Sequence, residues 1–223
     1  MKILGIDTTT KFLCLGIYDN GKACEYNLDV GRRHSALITV TIKRALDALG
    51  WQIGDIDYFA CGIGPGSFTG IRVGIATIKG LSFSLNKPVL GISTLDILAK
   101  NAGITNEVIV PIIDAKRNLI YCSAYKTKNG ILKRIMPYML LTEEELFRKF
   151  RNSAVLLGDA VNLYKQNILI NIKGAIVLDK EYWYPKGRSI IALALERIKN
   201  KQIDNSLKIK PIYLYPKECQ IRK

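Results

Sequence analysis

A glycine-rich segment at residues 64–74 constrains the fold of this chain more than any other stretch. It reads Gly64-Pro65-Gly66-Ser67-Phe68-Thr69-Gly70-Ile71-Arg72-Val73-Gly74. The apolar run before it, at 58–63, predicts a strand, and the apolar spacing after it predicts a helix over about 69–85. Glycines permit positive φ and close backbone approach. The segment therefore predicts a tight turn from a strand into a helix, capped by Ser67 or Thr69.

The free N–H groups at such a helix start suit an anion, which makes phosphate binding one hypothesis for this segment. Its spacing differs from known phosphate loops, however. No Gly-Lys-Ser/Thr follows at the distance that a Walker A loop requires, and Thr69 stands where the dinucleotide fingerprint has its third glycine. We therefore favour a structural turn over a phosphate cradle.

Arg72 lies in the first turn of the predicted helix, where a cation opposes the helix dipole. We expect a bound anion, a carboxylate or a partner surface to compensate it. Small residues follow along the same helix at Gly70, Gly74, Thr77 and Gly80. Because each glycine costs about 1 kcal/mol of helix stability relative to alanine, their spacing indicates an internal or intersubunit packing face.

Predicted strands and helices alternate along the rest of the chain. Strands at 3–6, 12–18 and 22–30 form a meander around an Asn-Gly turn, and a helix over 35–49, capped by Ser35, follows. The predicted elements of the second half are a strand at 108–113, a hairpin of 120–126 with 131–138, a helix opening at the Thr142 capping box, strands at 155–157 and 176–178, and a helix at 189–200. We expect mixed sheets with helices on their faces, in two domains at 1–103 and 104–223.

The polar loop Asp7-Thr8-Thr9-Thr10 follows the first predicted strand. A carboxylate at a strand end beside hydroxyl groups can hold a metal–phosphate group. The alternative is an Asx or Ser/Thr turn that closes a hairpin. The residues alone leave both interpretations open.

His34 is the only histidine of the chain. A single histidine excludes the two-histidine zinc site of a metallopeptidase, and a Ser-His-Asp triad would lack its G-x-S-x-G elbow. We expect His34 at the start of a helix, where it caps the helix or contacts a partner. Further along, we expect Asp114 to form a structural ion pair with Arg117.

Charge is distributed unevenly between the two halves. Residues 1–103 hold 11 Lys and Arg against 8 Asp and Glu, whereas residues 104–223 hold 22 against 11. A basic half can attract nucleic acid, an anionic surface or an acidic protein, although scattered lysines more often only keep a protein soluble. Five widely spaced cysteines without a C-x-x-C pair indicate reduced thiols. Since no leader segment or membrane-spanning apolar run is visible, we expect a cytoplasmic protein.

The segment at 64–74 resembles the signature of the TsaB family, also called YeaZ. Further motifs occur in that family's order, and the resemblance spans the chain, most closely over 1–125. They are Ile6-Asp7-Thr8-Thr9-Thr10, His34-Ser35, Gly91-Ile92-Ser93-Thr94-Leu95, Asp114-Ala115 and Pro211-Ile212-Tyr213-Leu214.

The resemblance implies an α/β fold of the ASKHA type (actin/Hsp70-like, ribonuclease H-like), with two mixed-sheet lobes of which the second is degenerate. It implies a non-catalytic scaffold that activates TsaD, the transferase that places a threonylcarbamoyl group on the adenosine next to the tRNA anticodon. TsaD would be the heterodimer partner, and the ATPase TsaE would join through that complex. A homodimer of the isolated chain and tRNA contact through the complex, aided by the basic half, are also implied; a metal or cofactor of its own is not.

In this family two helices, here about 35–49 and 68–85, form a four-helix interface with TsaD or with a second TsaB. The resemblance therefore places a partner interface at both helices, and it makes Asp7-Thr8-Thr9-Thr10 a possible vestigial phosphate loop. The predicted interface residues are His34, Ser35, Ile38, Ile42, Gly66, Ser67, Thr69, Gly70, Arg72 and Gly74.

Three residues depart from the family pattern. Lys116 and Tyr215 each stand in place of an arginine, and Leu119 stands in place of a glutamate. Two other functions stay open at this point. One is a stand-alone ATPase or phosphotransferase that uses the Asp7 loop and the glycine segment. The other is a peptidase, against which the single His34 argues.

Overall fold

The structure, a computed structural model, describes residues 1–31 and 33–216. It divides into two compact units, the first formed by 1–97 with 185–211 and the second by 98–184 with the stretch that begins at Ile212. The strands are β1 Lys2–Asp7, β2 Phe12–Asp19, β3 Lys22–Asp29, β4 Tyr58–Gly62, β5 Val89–Ile92, β6 Val108–Lys116, β7 Leu119–Cys122, β8 Tyr125–Lys128, β9 Ile131–Arg134, β10 Met139–Leu141, β11 Ala154–Leu157 and β12 Ala175–Val177. The helices are α1 His34–Asp47, α2 Phe68–Leu85, α3 Thr94–Asn101, α4 Glu143–Lys149, α5 Val161–Asn171 and α6 Gly187–Lys199.

The first unit is built on a five-stranded mixed sheet in the order β3-β2-β1-β4-β5. The meander β1–β3 is antiparallel, and β4 and β5 run parallel to β1. Its β2–β3 turn uses Asn20 and Gly21, whose φ angles of 42° and 91° suit a two-residue hairpin turn. The predicted meander and its turn are confirmed.

Helices cover both faces of this sheet. On one face, α6 packs its buried Ile190, Ile191 and Ala194 into a core that includes Ile3 and Leu90. On the other face, α2 packs over β4, and α1 lies beside α2. Alternating side chains of β1, β2, β4 and β5 therefore enter two separate apolar layers, whereas β3 is exposed along its whole length.

The second unit contains a mixed sheet in the order β10-β7-β6-β11-β12, from which β8 and β9 branch at β6. Strands β6, β11 and β12 are parallel, whereas β7 and β10 continue the sheet in antiparallel pairing. The Thr142 capping box at the start of α4 is present as predicted, with Glu145 Oε2 accepting from Thr142 N at 2.9 Å. The predicted α/β class with a mixed sheet in each half is confirmed.

The chain divides differently from the predicted boundary between residues 103 and 104. Residues 185–211 return to the first unit, because the apolar face of α6 covers the β1–β2 surface where Gly5 and Gly16 leave room for Ile190 and Ile191. Sequence periodicity located α6 but carried no information about which sheet it would cover.

Three local predictions need correction. Helix α1 begins at His34, one residue before the predicted cap Ser35, and its N-cap Arg33 makes no side-chain capping bond. The predicted strand 120–126 is two strands, since Ala124 leaves the ladder and accepts from Ile135 N at 2.8 Å. Helix α5 had no prediction at all.

Within residues 1–31 and 33–216, no helix combines the length and the hydropathy that spanning a bilayer requires.

Candidate functional site

The glycine segment is held against the loop that follows β1. Ser67 N donates to the carbonyl oxygen of Thr9 at 2.7 Å, and Thr8 Oγ1 donates to the carbonyl oxygen of Gly70 at 2.7 Å. Ser67 Oγ accepts from Gly70 N at 3.2 Å, so the predicted Ser67 cap is confirmed. An amide that could have met an anion is used inside the chain instead.

Asp7 is completely buried, and its carboxylate is surrounded by donors from its own chain. Oδ1 accepts from Thr9 N at 2.8 Å and from Thr9 Oγ1 at 2.7 Å, and Oδ2 accepts from Thr94 Oγ1 at 3.2 Å. Desolvation by burial raises the pKa of Asp7 to about 6, although these hydrogen bonds oppose the shift. A Cβ on Gly62 would overlap Asp7 Oδ2, so the chain packs closely around the Asp7 carboxyl group and closes it off from the surface.

The bonds from Thr9 to Asp7 are those of an Asx turn, the structural alternative considered for this loop. Thr10 Oγ1 likewise accepts from Phe12 N at 3.2 Å. Thr94 is the member of this group that the sequence did not single out as a site residue. It starts α3 after Ser93, and only the fold brings its hydroxyl to Asp7 and to Thr9 Oγ1, which lies 3.0 Å away.

The sequence indicated a single packing face for the small residues of α2. This prediction is wrong, because the small residues point in different directions. A Cβ on Gly70 would overlap the carbonyl oxygen of Thr8, and one on Gly74 would overlap Thr8 Oγ1. These two glycines let α2 approach the Asp7 loop. Gly80 is exposed, and a Cβ there would meet nothing within 4 Å. Gly70 and Gly74 therefore serve internal packing, while Gly80 faces outward.

Five of the ten predicted interface residues are buried within the chain itself, and the prediction is corrected for them. Side-chain periodicity points Ile38 and Ile42 into the core, and His34 Nε2 lies 3.3 Å from the carbonyl oxygen of Phe12. The buried five are His34, Ile38, Ile42, Gly70 and Gly74.

Four of the remaining predicted residues are exposed, and Gly66 is half-buried; the exposed four are Ser35, Ser67, Thr69 and Arg72. The guanidinium of Arg72 lies 3.8 Å from the ring centroid of Phe68. The electron-rich ring face offsets part of the unfavourable placement of a cation at the helix start.

The predicted interface included Thr69 and Arg72 but missed the rest of the exposed face of α2. Thr69, Arg72, Ala76, Gly80 and Phe83 are all exposed, and they recur at intervals of three and four residues. They therefore form one stripe on the side of α2 opposite its buried residues. We call these five residues the outer stripe. The spacing of these five residues is present in the sequence. It was not recognised there because the inward glycines, Gly70 and Gly74, were assigned to the same face as Gly80.

A second cluster of interactions lies where β6 turns into β7. Asp114 pairs with Lys116 Nζ at 2.5 Å, not with the predicted Arg117. The hydroxyl of Tyr215 donates to the carbonyl oxygens of Ala115 at 2.8 Å and Lys116 at 3.2 Å. Leu119 is the ladder partner of Lys116. The three departures from the family pattern, Lys116, Leu119 and Tyr215, thus meet at one turn.

Asp159 lies beside this turn. Its Oδ1 accepts from Asp114 N at 2.9 Å, and desolvation by burial, together with the nearby Asp114 charge, raises the pKa of Asp159 to about 6. The carboxyl acts as a structural acceptor for the end of β6. Among the residues that the structure describes, no three His, Cys, Asp or Glu side chains gather in a way that could hold a metal ion.

Known proteins resemble this chain over most of its length. Residues 28–167 match the family model of TsaD, tRNA N6-adenosine threonylcarbamoyltransferase. The tRNA threonylcarbamoyladenosine biosynthesis protein TsaB of Bacillus subtilis (strain 168) is 31% identical over 182 residues, which cover 79% of this chain and 80% of the relative. The TsaB protein of Escherichia coli (strain K12) is 27% identical over 220 residues, 96% of this chain and 94% of the relative.

The fold has a close counterpart among solved structures. YeaZ from Pseudomonas aeruginosa superposes with a TM-score of 0.82 over 96% of this chain and 99% of that protein, at 23% sequence identity. The predicted fold is therefore confirmed. Because the Bacillus TsaB protein is 31% identical over 79% of this chain and 80% of its own length, this chain belongs to the TsaB family of tRNA threonylcarbamoyladenosine biosynthesis proteins.

Proposed function

We propose that this chain is a non-catalytic subunit of tRNA threonylcarbamoyladenosine synthesis that binds and activates a TsaD-type transferase. The docking surface is the outer stripe of α2, together with the exposed side of α1. The single observation that carries this assignment is the stripe itself, in which small residues lie between Arg72 and Phe83 on a helix face that residues 1–31 and 33–216 leave exposed.

The composition of the outer stripe suits a helix–helix interface. Ala76 and Gly80 allow a partner helix to approach closely. Phe83, which is 72% exposed, and Arg72 belong to the residue types that dominate binding energy in interfaces. On α1, Val40 adds an apolar side chain that is 45% exposed. The surface thus offers two anchors with shallow space between them.

Similarity to TsaD supports the choice of partner. A chain that matches the TsaD family model over 28–167, which includes α1 and α2, shares its helix pair with that family. Two related helix pairs can meet about a pseudo-two-fold axis and form a four-helix interface, as identical subunits do in a homodimer. The same surface would accept a second copy of this chain when TsaD is absent.

The closed Asp7 site supports a non-catalytic role over a stand-alone ATPase. A phosphate-binding carboxylate must reach solvent or a metal ion, whereas Asp7 is fully buried and bonded to Thr9 and Thr94. We propose that this chain needs no nucleotide of its own, and that TsaE and tRNA join through the complex with TsaD. We place the complex in the cytoplasm, where tRNA is used.

Gly80→Leu tests the proposed docking surface. The new side chain would project from the outer stripe into the partner helix, so we expect recovery of TsaD in co-purification to fall about tenfold or more, an energetic cost typical of a clash in a packed interface. The tRNA threonylcarbamoylation rate of the reconstituted system should fall with it. Gly74→Leu would be unsuitable, since its side chain would strike Thr8 inside the chain.

Gly54→Leu is the matched control. Gly54 is also exposed, and its Cβ would also meet nothing within 4 Å, but it lies outside α1 and α2. This variant should bind and stimulate TsaD like the unchanged chain. Equal recovery of TsaD with the Gly80→Leu variant would refute the interface, and threonylcarbamoylation of tRNA by this chain without TsaD would refute the non-catalytic role.

A further inference from the structure

The β8–β9 hairpin carries an unusual concentration of positive charge. Its strands, Tyr125–Lys128 and Ile131–Arg134, are joined by Asn129 and Gly130, whose φ angles of 53° and 72° form a tight two-residue turn. The ten residues from 125 to 134 contain four Lys and Arg and no Asp or Glu. The hairpin is thus a cationic ribbon that branches from the sheet of the second unit.

Three of the cations share the outward face of this ribbon. In the observed register Lys126 is directly opposite Lys133, and Lys128 is opposite Ile131. Residues opposite one another point to the same side of an antiparallel pair. The other side carries Tyr125, which is 2% exposed, so Lys126, Lys128 and Lys133 face solvent together.

This arrangement works against the stability of the hairpin. Opposed residues have Cβ atoms about 4.5–5.5 Å apart, and like charges at that distance are destabilising. None of the three lysines forms an ion pair with a carboxylate in residues 1–31 or 33–216. A ligand that carries several negative charges would turn this repulsion into attraction.

We propose that the outward lysine face of the β8–β9 hairpin binds the phosphate backbone of RNA. This proposal rests on the proposed function, in which tRNA is the RNA substrate of the complex. Lysine ammonium groups act as point charges that bind phosphates without strict geometry. Closely spaced lysines can neutralise successive phosphates of one strand. The role is to hold the tRNA body, without reading its sequence.

The chemistry of the face favours RNA over an acidic protein. Protein interfaces have a desolvated core that is depleted in charge and enriched in aromatic residues. This face offers Ile131, at 53% exposure, as its one large apolar side chain next to three lysines. Phosphate contacts require no such core.

The test is the binding of a fluorescently labelled, unmodified tRNA transcript by the full chain at several salt concentrations. The variant is Lys126→Gln with Lys128→Gln and Lys133→Gln. Each lost phosphate contact lowers the slope of log K against log salt by about 0.7–0.9, so we expect the slope to fall by about 2. Binding near 0.1 M salt should weaken by about tenfold or more.

A matched control separates this site from overall charge. Lys165→Gln with Lys173→Gln and Lys180→Gln removes the same charge from exposed positions of the same unit. This control should keep the salt slope of the unchanged chain. If it loses as much tRNA binding as the hairpin variant, or if the hairpin variant keeps its slope, the hairpin is not the RNA site.

Two further measurements complete the test. Because the substitutions remove a repulsive pair, the melting temperature of the hairpin variant should equal or exceed that of the unchanged chain, and loss of tRNA binding with a lower melting temperature would overturn the proposal in favour of a folding role. TsaD co-purification should be unaffected. Loss of TsaD with tRNA binding intact would assign the hairpin to a protein partner, whereas loss of tRNA binding with TsaD retained supports RNA independently of the α1–α2 interface.

Discussion

The side chain of Thr8 donates a 2.7 Å hydrogen bond to the carbonyl oxygen of Gly70, and the absence of a side chain on Gly70 is what allows the contact. This bond joins the loop after β1 to the first turn of α2. It explains the glycine at position 70 by the close approach of two backbones, without any ligand.

Gly70→Ala should destabilise the protein, whereas Gly80→Ala should stabilise it. At Gly70 the new methyl group would overlap the carbonyl oxygen of Thr8, and overpacking against backbone costs about 1–3 kcal/mol. At Gly80 the methyl group meets nothing, and alanine gains up to about 1 kcal/mol in a helix. Urea unfolding of both variants checks the opposite signs; two changes of the same sign would contradict the account of α2.

The Asp7→Asn substitution should change how the free energy of unfolding depends on pH, because it removes a buried ionisable carboxyl group. Below about pH 3 Asp7 is protonated in both states. Between pH 4 and 6 the unfolded chain ionises first, because the native pKa is raised from 3.8 to about 6, so the native state loses stability as pH rises. The asparagine variant lacks this loss, and its free energy of unfolding relative to the unchanged chain should rise by about 2 kcal/mol from pH 4 to pH 7.

The Asp29→Asn substitution should change the pH dependence of stability in the opposite direction. Hydrogen bonding to Lys11 lowers the pKa of Asp29 below its ordinary value of 3.8, so the unchanged chain gains stability as pH rises from the lowered native pKa to the unfolded pKa. The variant lacks this gain and becomes relatively less stable over the same range. Denaturant titrations at about pH 2.5 and pH 4 measure the effect of Asp29→Asn, and titrations at pH 4 and pH 7 measure the effect of Asp7→Asn. A pH-independent difference for Asp7→Asn would show that Asp7 is ionised in the native state without penalty.

Cys24 should be the thiol that reacts first among the four described cysteines. It is exposed on β3, whereas Cys14, Cys61 and Cys122 are buried, and burial raises the pKa of each of those three thiols. Since the thiolate is the reactive form, N-ethylmaleimide at pH 7.5 should label Cys24 quickly and the others only after unfolding. Peptide mass spectrometry distinguishes the sites, and rapid labelling of Cys61 in the native protein would contradict the fold around Asp7.

Tyr215→Phe should cost about 1 kcal/mol of stability, because the carbonyl oxygens of Ala115 and Lys116 lose their hydroxyl donor. Tyr26→Phe, at an exposed position of β3, is the control and should be neutral. Thermal melts of both variants measure the difference. Equal melting temperatures would mean that the Tyr215 hydroxyl does not support the β6–β7 turn.

Local rules accounted for much of the fold. The apolar runs of β1 and β2, the Asn20-Gly21 turn, the Ser67 cap and the Thr142 capping box depend on neighbours within a few residues, so the sequence was sufficient to predict them. Helix α5 escaped prediction because few of its residues are buried and its exposed face includes Leu163, Leu169 and Ile170. Its pattern lacks a single apolar stripe.

At the candidate site, too, some features follow from local sequence rules and others only from tertiary packing. The sequence by itself determined that Asp7 follows a strand and that the glycine segment leads from a strand into a helix, because strand and helix periods are local properties of the chain. Only the tertiary structure decided that Asp7 is closed off by Thr9 and Thr94, that Gly70 and Gly74 face inward while Gly80 faces outward, and that α6 covers the first sheet. These outcomes depend on which surfaces distant segments bury against one another, and a periodic pattern does not specify its partner.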